Sequence, residues 1–201
     1  IYYSIQNSLF LKIHSNYFLV MNDFGYNLQQ ILLDDNSSQL EEYCNFACSF
    51  DRIFPKPTNV QYPELFISQP SILSAACYFG CYNCVHYLLS HGSEVLHEDK
   101  KRKTPFLFAV AGGSLKIIQL LIECGSNIND TDIDGNGAIH YAIKYNQKSL
   151  ILYLCYVTGL DINSQNKKKE TPLHFAATSM QTDVIQMLLF HGANVNAKTV
   201  V

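Results

Sequence analysis

The sequence lacks an apolar run long enough to cross a membrane, which takes about 18 to 20 residues in a helix. Its apolar first segment is interrupted by the polar side chains Ser4, Gln6, Asn7, Lys12 and His14. We therefore predict no membrane span. Of the 201 residues, 48% are hydrophobic and 15% are charged, which is the composition of a globular chain with a sizeable core.

The chain also lacks a strong excess of either charge and a regular set of cysteines. A formal net charge of −3 does not suggest a nucleic-acid-binding protein. Seven cysteines without a regular framework fit a reducing compartment better than a secreted disulfide scaffold. We therefore expect a cytoplasmic protein without a nucleic-acid partner.

No motif of a catalytic site is present. The sequence contains no G-x-S-x-G elbow, no H-E-x-x-H helix, no Walker loop and no dinucleotide fingerprint. We therefore predict no enzyme activity, no cofactor and no metal for this segment. The alternative is that it recruits substrates for a catalytic domain elsewhere in a longer chain.

A pattern of small and apolar residues recurs four times in the later part of the chain. Its copies are residues 71–76, 104–109, 137–142 and 171–176, whose first residues are 33, 33 and 34 residues apart. In the clearest copy, Thr171 supplies an N-cap hydroxyl and Pro172 a ring preset for the first helical position. A fixed period of this size is the signature of stacked repeats.

The core Thr171-Pro172-Leu173-His174-Phe175-Ala176 resembles the ankyrin repeat. Later landmarks keep the same register, namely Gly92, Gly125 and Gly192, then Asn129, Asn163 and Asn196. The resemblance implies an all-α, ankyrin-type helical repeat solenoid in which each repeat is a helical hairpin with a projecting finger loop. Four repeats are visible, at residues 71–103, 104–136, 137–170 and 171–201. The last residues look like the start of another repeat and the first residue is Ile1, so we expect a fragment with more repeats after Val201.

Two positions depart from the repeat pattern at the turn between the paired helices. Asn146 and Met180 stand where a glycine is expected. Asn tolerates the left-handed backbone region, whereas Met180 leaves the geometry of its turn open. A one-residue insertion near Gly159 predicts a bulge before the next finger.

Residues 1–54 match no repeat but are rich in apolar side chains, which predicts an N-terminal helical region covering the first repeat. A helix is expected from Ser38, which can form a capping box with Glu41, and a turn at residues 22–27. Four prolines predict a boundary and an extended linker over residues 55–70. A helical region of this kind resembles those that precede ankyrin repeats in large families of single-celled eukaryotes.

The first repeat contains donors of the kind that zinc prefers, with His86 close to Cys77, Cys81 and Cys84. In the repeat register, Cys77 replaces a small residue of the first helix and Cys84 an apolar residue of the second. We therefore expect packing cysteines and keep a zinc site as the alternative. The resemblance implies structural hydrogen bonds for the motif histidines, His140 and His174.

The finger loops hold much of the charge. Basic residues precede Thr104 at 100–103 and Thr171 at 167–169, and three aspartates lie between them at 130, 132 and 134. Because successive fingers project side by side, we expect a basic, acidic, basic stripe beside the concave helix surface. The alternatives are that loop charges serve solubility, or that residues 100–103 are a nuclear-import signal in a nuclear protein.

The resemblance also implies which residues bind a partner, because ankyrin repeats use finger tips and the ends of the first helices. The finger lysines are Lys100, Lys101, Lys103, Lys167 and Lys168. The other positions are Tyr78, Phe79, Ala111, Gly112, Ile133, Asp134, Asn136, Lys144, Tyr145, Glu170, Thr178 and Ser179. Tyr78, Phe79 and Tyr145 are the expected anchors, since aromatic side chains dominate interface energetics. The expected function is to bind a protein with an acidic surface; the rival is a structural spacer without a ligand.

Overall fold

The structure, a computed structural model, describes residues 28–47, 53–54, 64–156 and 160–200. These residues form helices and loops, with an isolated antiparallel bridge between Ile53 and Ser71. The expected all-α class is thus confirmed. Among the described residues, none of the helices combines the length and apolar character that crossing a membrane requires.

Helices α1 (Leu28–Leu33) and α2 (Ser37–Ala47) precede a 3₁₀ helix at Glu64–Ser68. The repeats follow as pairs of helices. The first helices are α3 (Ile72–Phe79), α5 (Pro105–Gly112), α7 (Ala138–Lys144) and α9 (Pro172–Thr178). The second helices are α4 (Tyr82–Ser90), α6 (Leu115–Glu123), α8 (Lys148–Cys155) and α10 (Thr182–Phe190).

One backbone turn joins the two helices of every repeat. Its central residue has a left-handed conformation in each case, with φ of 78° at Gly80, 80° at Gly113, 56° at Asn146 and 52° at Met180. The turn that the sequence left open therefore keeps its geometry at Met180, although a side chain in this region is strained. Stacking of successive hairpins outweighs the local preference.

The hairpins stack so that a row of leucines runs through the core. Leu88, Leu121, Leu154 and Leu188 occupy equivalent positions of the second helices, and each is at most 1% exposed. The first helices pack in chain order, α3 on α5, α5 on α7 and α7 on α9. Each hairpin thus buries its apolar face against its neighbours, as a helical repeat must.

The α1–α2 hairpin covers the first repeat and uses the same kind of turn. Asp35 has a φ of 47°, and its carboxylate accepts hydrogen bonds from the backbone N–H groups of Asn83 (3.1 Å) and Cys84 (2.9 Å). These are unpaired donors at the start of α4, where a negative charge is favourable. Asp35 therefore caps a helix of the first repeat from outside that repeat.

A second contact fastens the same hairpin. The Cys81 thiol donates to the carbonyl oxygen of Leu32, at the end of α1. Equivalent positions of later repeats hold Gln147 and Gln181, whose amides donate to carbonyl oxygens of the preceding first helix, at 2.8 and 3.0 Å. The N-terminal hairpin therefore docks on the first repeat much as one repeat docks on another.

Two local expectations are wrong. The capping box at Ser38 does not form, because α2 begins earlier and Asn36 accepts the hydrogen bond from the Gln39 N–H at 3.1 Å. The linker over 55–70 is not extended at its end, where Gln69 has a φ of 62° and matches Arg102, 33 residues later, at 58°. Residues 66–69 are thus the finger of the first repeat. The turn expected at 22–27 and the bulge at Gly159 lie outside the described residues.

Replacing Met180 by glycine is expected to stabilise the protein. The left-handed conformation costs a non-glycine residue about 1 to 2 kcal/mol, and the entropy of glycine in the unfolded chain cancels about half of that gain. A net gain of roughly 0.5 to 1 kcal/mol corresponds to a melting temperature about 1 to 4 °C higher. Ser179→Gly is the control, because Ser179 has an ordinary φ of −86° and should melt lower. A similar fall in both variants would contradict the strained turn.

Candidate functional site

The finger tips share one construction. The first side-chain oxygen of Asp99, Asp132 or Asn166 accepts hydrogen bonds from the backbone N–H groups two and four residues later, at 2.8 to 3.0 Å. Short polar side chains favour such turns because they replace backbone partners. The three tips are therefore rigid loops of the same shape.

Backbone hydrogen bonds join the tips into a row. The Ile133 N–H donates to the carbonyl oxygen of Lys101 at 2.8 Å, and the Lys167 N–H donates to that of Asp134 at 2.9 Å. The same bond ties Lys100 back to Ser68 and Val200 to Lys168, at 3.2 and 3.0 Å. The order of side chains along the row is therefore set by the backbone.

Six of the expected binding residues are exposed on this row. Lys100 and Lys101 form the first basic tip, Ile133 and Asp134 the next one, and Lys167 and Lys168 the last. Ile133 is 41% exposed, which is unusual for an isoleucine on a short rigid loop. The row presents cations, one anion and an apolar side chain to solvent.

Lys103 does not belong to this exposed set, which corrects the expectation. It is 6% exposed, and its ammonium group donates to the Leu65 carbonyl oxygen and the Ser68 hydroxyl, both at 2.9 Å. Asp99 lies 3.9 Å away, and the Phe108 ring centroid 5.7 Å away. Burial lowers the pKa of Lys103, and Asp99 opposes that shift. The side chain is a structural ion that ties two fingers together.

The expected anchors of the first repeat are partly used by the protein itself. Tyr78 and Phe79 are half-buried at the end of α3, with ring centroids 5.2 and 5.5 Å from that of Phe66. Phe66 is 1% exposed and belongs to the finger that the sequence did not reveal. Each of the two rings therefore offers only one side to a partner.

Tyr145 occupies the position of Phe79 two repeats later, and Gly112 lies between them in the row of first helices. A Cβ atom at Gly112 would lie 2.3 Å from the Tyr78 carbonyl oxygen, so this place holds no side chain. Burial raises the pKa of Tyr145 to about 12, with smaller contributions from Tyr78 and Glu64. Glycine thus leaves a gap in the aromatic row.

The other expected residues divide between solvent and the protein. Lys144, Thr178 and Ser179 are exposed at the ends of α7 and α9, and the Lys144 ammonium lies 5.7 Å from the Tyr145 ring centroid. Ala111 is buried. The Asn136 amide donates to Asp132, at 3.0 Å to its nearer oxygen, and the Glu170 carboxylate accepts from Asn166 at 2.8 Å. Asn136 and Glu170 thus help to build the fingers.

Sequence reasoning missed the finger of the first repeat, which adds Ile67, 58% exposed, to the row. Its only sequence signal is spacing, because Ser68 precedes Lys101 by the repeat length of 33 residues. Phe66 stands where later fingers have Asp or Asn, so the polar turn signal is absent there. The described tips thus run from Ile67 to Lys168.

The motif histidines hold structure together. His174 accepts from the Thr171 N–H at 3.1 Å, with the Thr171 hydroxyl 2.8 Å from the same ring nitrogen. The His140 ring lies 3.3 Å from the carbonyl oxygen of Glu170, in the next finger, and burial lowers the pKa of His140. A neutral imidazole therefore links successive repeats.

The cysteines of the first repeat are core side chains. Cys77 and Cys84 are fully buried and Cys81 is 2% exposed. Burial raises the pKa of Cys81 to about 12, with Asp35 adding to the shift. Thiols of this kind stay protonated and pack as small apolar groups.

Stacked helical hairpins with a row of finger tips along one edge define a solenoid protein of the class that recognises ligands on an extended surface. The family model described as ankyrin repeats (3 copies) matches residues 50–132, 72–166 and 109–199. The chain belongs to the ankyrin-repeat family, whose repeats are in general protein–protein interaction modules.

Curated relatives have very different sizes and sources. Alpha-latrocrustotoxin-Lt1a of Latrodectus tredecimguttatus is 33% identical over 57% of this chain and 8% of its own. A putative ankyrin repeat protein of fowlpox virus, FPV031, is 29% identical over 68% of this chain and 41% of its own. The E3 ubiquitin-protein ligase KEG of Arabidopsis thaliana is 29% identical over 62% of this chain and 8% of its own. The chain thus spans less than half the length of each of these relatives.

Proposed function

We propose that this chain binds a partner protein through its finger row and the adjoining ends of the first helices. The observation that carries the proposal is the backbone-bonded row of tips, which holds exposed lysines, Asp134 and Ile133 in a set order. A surface that is rigid before binding loses little conformational entropy when the partner arrives. Tyr145, at the edge of the gap at Gly112, is the proposed anchor.

The proposed partner presents an acidic surface to the fingers. The chain as a whole carries a formal net charge of −3, yet two of its tips are basic and exposed. A basic edge on a slightly acidic protein favours an acidic partner over a second copy of the same chain. Such charges act mainly on the encounter rate and on specificity.

A second function is favoured by one comparison. A region similar to this chain occurs in a protein named as an E3 ubiquitin-protein ligase, so the repeats could recruit substrates for an enzyme in a longer chain. Binding through the same row would serve either role. A spacer without a ligand would not require exposed residues in a set order.

Reversal of the exposed cations tests the proposal. A variant with Lys100, Lys101, Lys167 and Lys168 changed to Glu keeps the buried Lys103. We expect it to lose its partner in capture from native lysate while its helical circular dichroism and melting temperature stay close to wild type. For the wild type, association should slow between about 0.05 and 0.3 M salt, because exposed charges are screened within about 10 Å.

Tyr145→Ala is the companion variant, expected to act mainly through faster dissociation. Lys116→Glu is the matched control, since Lys116 is an exposed lysine on α6, away from the fingers. Equal partner recovery by wild type, the reversed variant and Tyr145→Ala would reject this surface and favour the spacer.

A further inference from the structure

The row of tips alternates in charge at equivalent positions. Lys101, Asp134 and Lys168 follow one another along the backbone-bonded row, since each carbonyl oxygen accepts from the next finger. All three side chains are exposed. In the part of the chain that the structure describes, none of them forms an ion pair. Their charges are therefore available to a ligand.

Two basic tips carry a cation at a strained position. The residue after each of these lysines has a left-handed backbone, with φ of 58° at both Arg102 and Lys169. The acidic tip has Gly135 there, with φ of 82°, which costs little. The basic tips thus keep a charged side chain where glycine would be more stable, and strain of this kind is retained chiefly at functional sites.

The spacing of the tips suits an extended peptide. Each finger contributes two arms to the row, and extended segments lie about 4.8 Å apart, so successive tips are about 10 Å apart. An extended chain advances about 3.3 Å per residue. About three residues of a ligand therefore span the distance between neighbouring tips.

We propose that the row from Lys101 to Lys168 binds an extended segment of the partner in which one cationic residue lies between two acidic groups. Each acidic group is about three residues from the cation. The inference rests on the proposed function and adds the charge pattern of the partner. Asp134 pairs with the cation, and the two basic tips pair with the acidic groups.

A uniform polyanion fits the same row less well. A nucleic acid would bring phosphate groups to Asp134, and like charges that face each other lower affinity. The acidic residue at the centre of the row therefore favours a peptide of mixed charge.

Two labelled synthetic peptides test the pattern by fluorescence anisotropy with the full chain. Both contain four glutamates, one lysine and serine spacers, but the first has glutamate pairs at its ends and lysine at its centre, whereas the second has all glutamates at one end. We expect the first to bind about tenfold more tightly. Asp134→Lys should instead prefer a third peptide with glutamate at the centre. Equal affinities for the first two peptides would overturn the proposal, as would tighter binding of duplex DNA than of the first peptide.

A pair of glycine variants separates binding from stability. Lys169→Gly removes a charge and relieves strain, so its melting temperature should rise while the first peptide binds about threefold more weakly. Lys116→Gly removes a charge from the exposed face of α6, and should melt lower with unchanged affinity. Unchanged affinity of Lys169→Gly would overturn the role of that cation.

The two proposals fail in different ways. If the peptides show no preference while the reversed-finger variant still loses its partner, the charge pattern is wrong and the proposed function stands. If neither experiment shows an effect, both are wrong.

Discussion

Leu121→Ala is expected to lower the free energy of unfolding by about 2 to 5 kcal/mol. Leu121 is 0% exposed and lies in the second helix of an inner repeat, with Leu88 and Leu154 in equivalent positions on either side. The cavity left by the shorter side chain is closed in by repeats on both sides and cannot collapse easily. Chemical unfolding monitored by circular dichroism measures the change.

Leu188→Ala removes the same atoms from the corresponding place in the last described repeat, where Leu188 is also 0% exposed. We expect a smaller loss, because described structure flanks that helix on one side. Leu115→Ala is the control within α6, since Leu115 is 39% exposed and should change stability little. If Leu121→Ala and Leu115→Ala had equal effects, the stacking register would be wrong.

Lys103→Glu is expected to destabilise the fold by about 3 to 5 kcal/mol, the cost of leaving a buried charge without its partner. The new carboxylate would face Asp99 and the Leu65 carbonyl oxygen, which the ammonium group of Lys103 now neutralises or satisfies. Repulsion should loosen the contact between the first two fingers. Thermal unfolding and hydrogen exchange at the Lys100 amide, which bonds to Ser68, are the measurements.

Lys101→Glu is the matched control, because it makes the same change two residues away at an exposed position. It should leave the melting temperature nearly unchanged and weaken partner binding. Lys103→Met keeps most of the apolar volume and should cost less than Lys103→Glu, since it leaves Asp99 unpaired without adding a second negative charge. Equal melting temperatures for all three variants would show that Lys103 is not buried.

The sequence predicted the repeats because each one carries its own local signals. The hydroxyl of Ser71 caps α3 by accepting from the Ser74 N–H at 3.1 Å, and Asn146 makes the turn that glycine makes elsewhere. These features depend on neighbours a few residues away, so a pattern repeated at a fixed spacing reveals them. Met180 adopts the same turn against its own preference, which a local signal could not predict.

The candidate site was predicted less completely. Lys101 and Lys103 have the same side chain two residues apart, yet one is exposed and the other buried. The difference comes from Leu65 and Ser68, which lie 38 and 35 residues before Lys103 and supply its hydrogen-bond acceptors. No signal near Lys103 in the sequence identifies those partners.

The sequence by itself determined the fold class, the repeat boundaries from Ser71 onward and the charges that the fingers carry, because short-range periodicity encodes all three. Only the tertiary structure decided that residues 66–69 are a finger, that Asp35 caps α4 from 48 residues away, and that Lys103 is an internal ion. These features depend on contacts between distant segments. Such contacts follow from which surfaces meet when the hairpins stack, and chain spacing does not encode them.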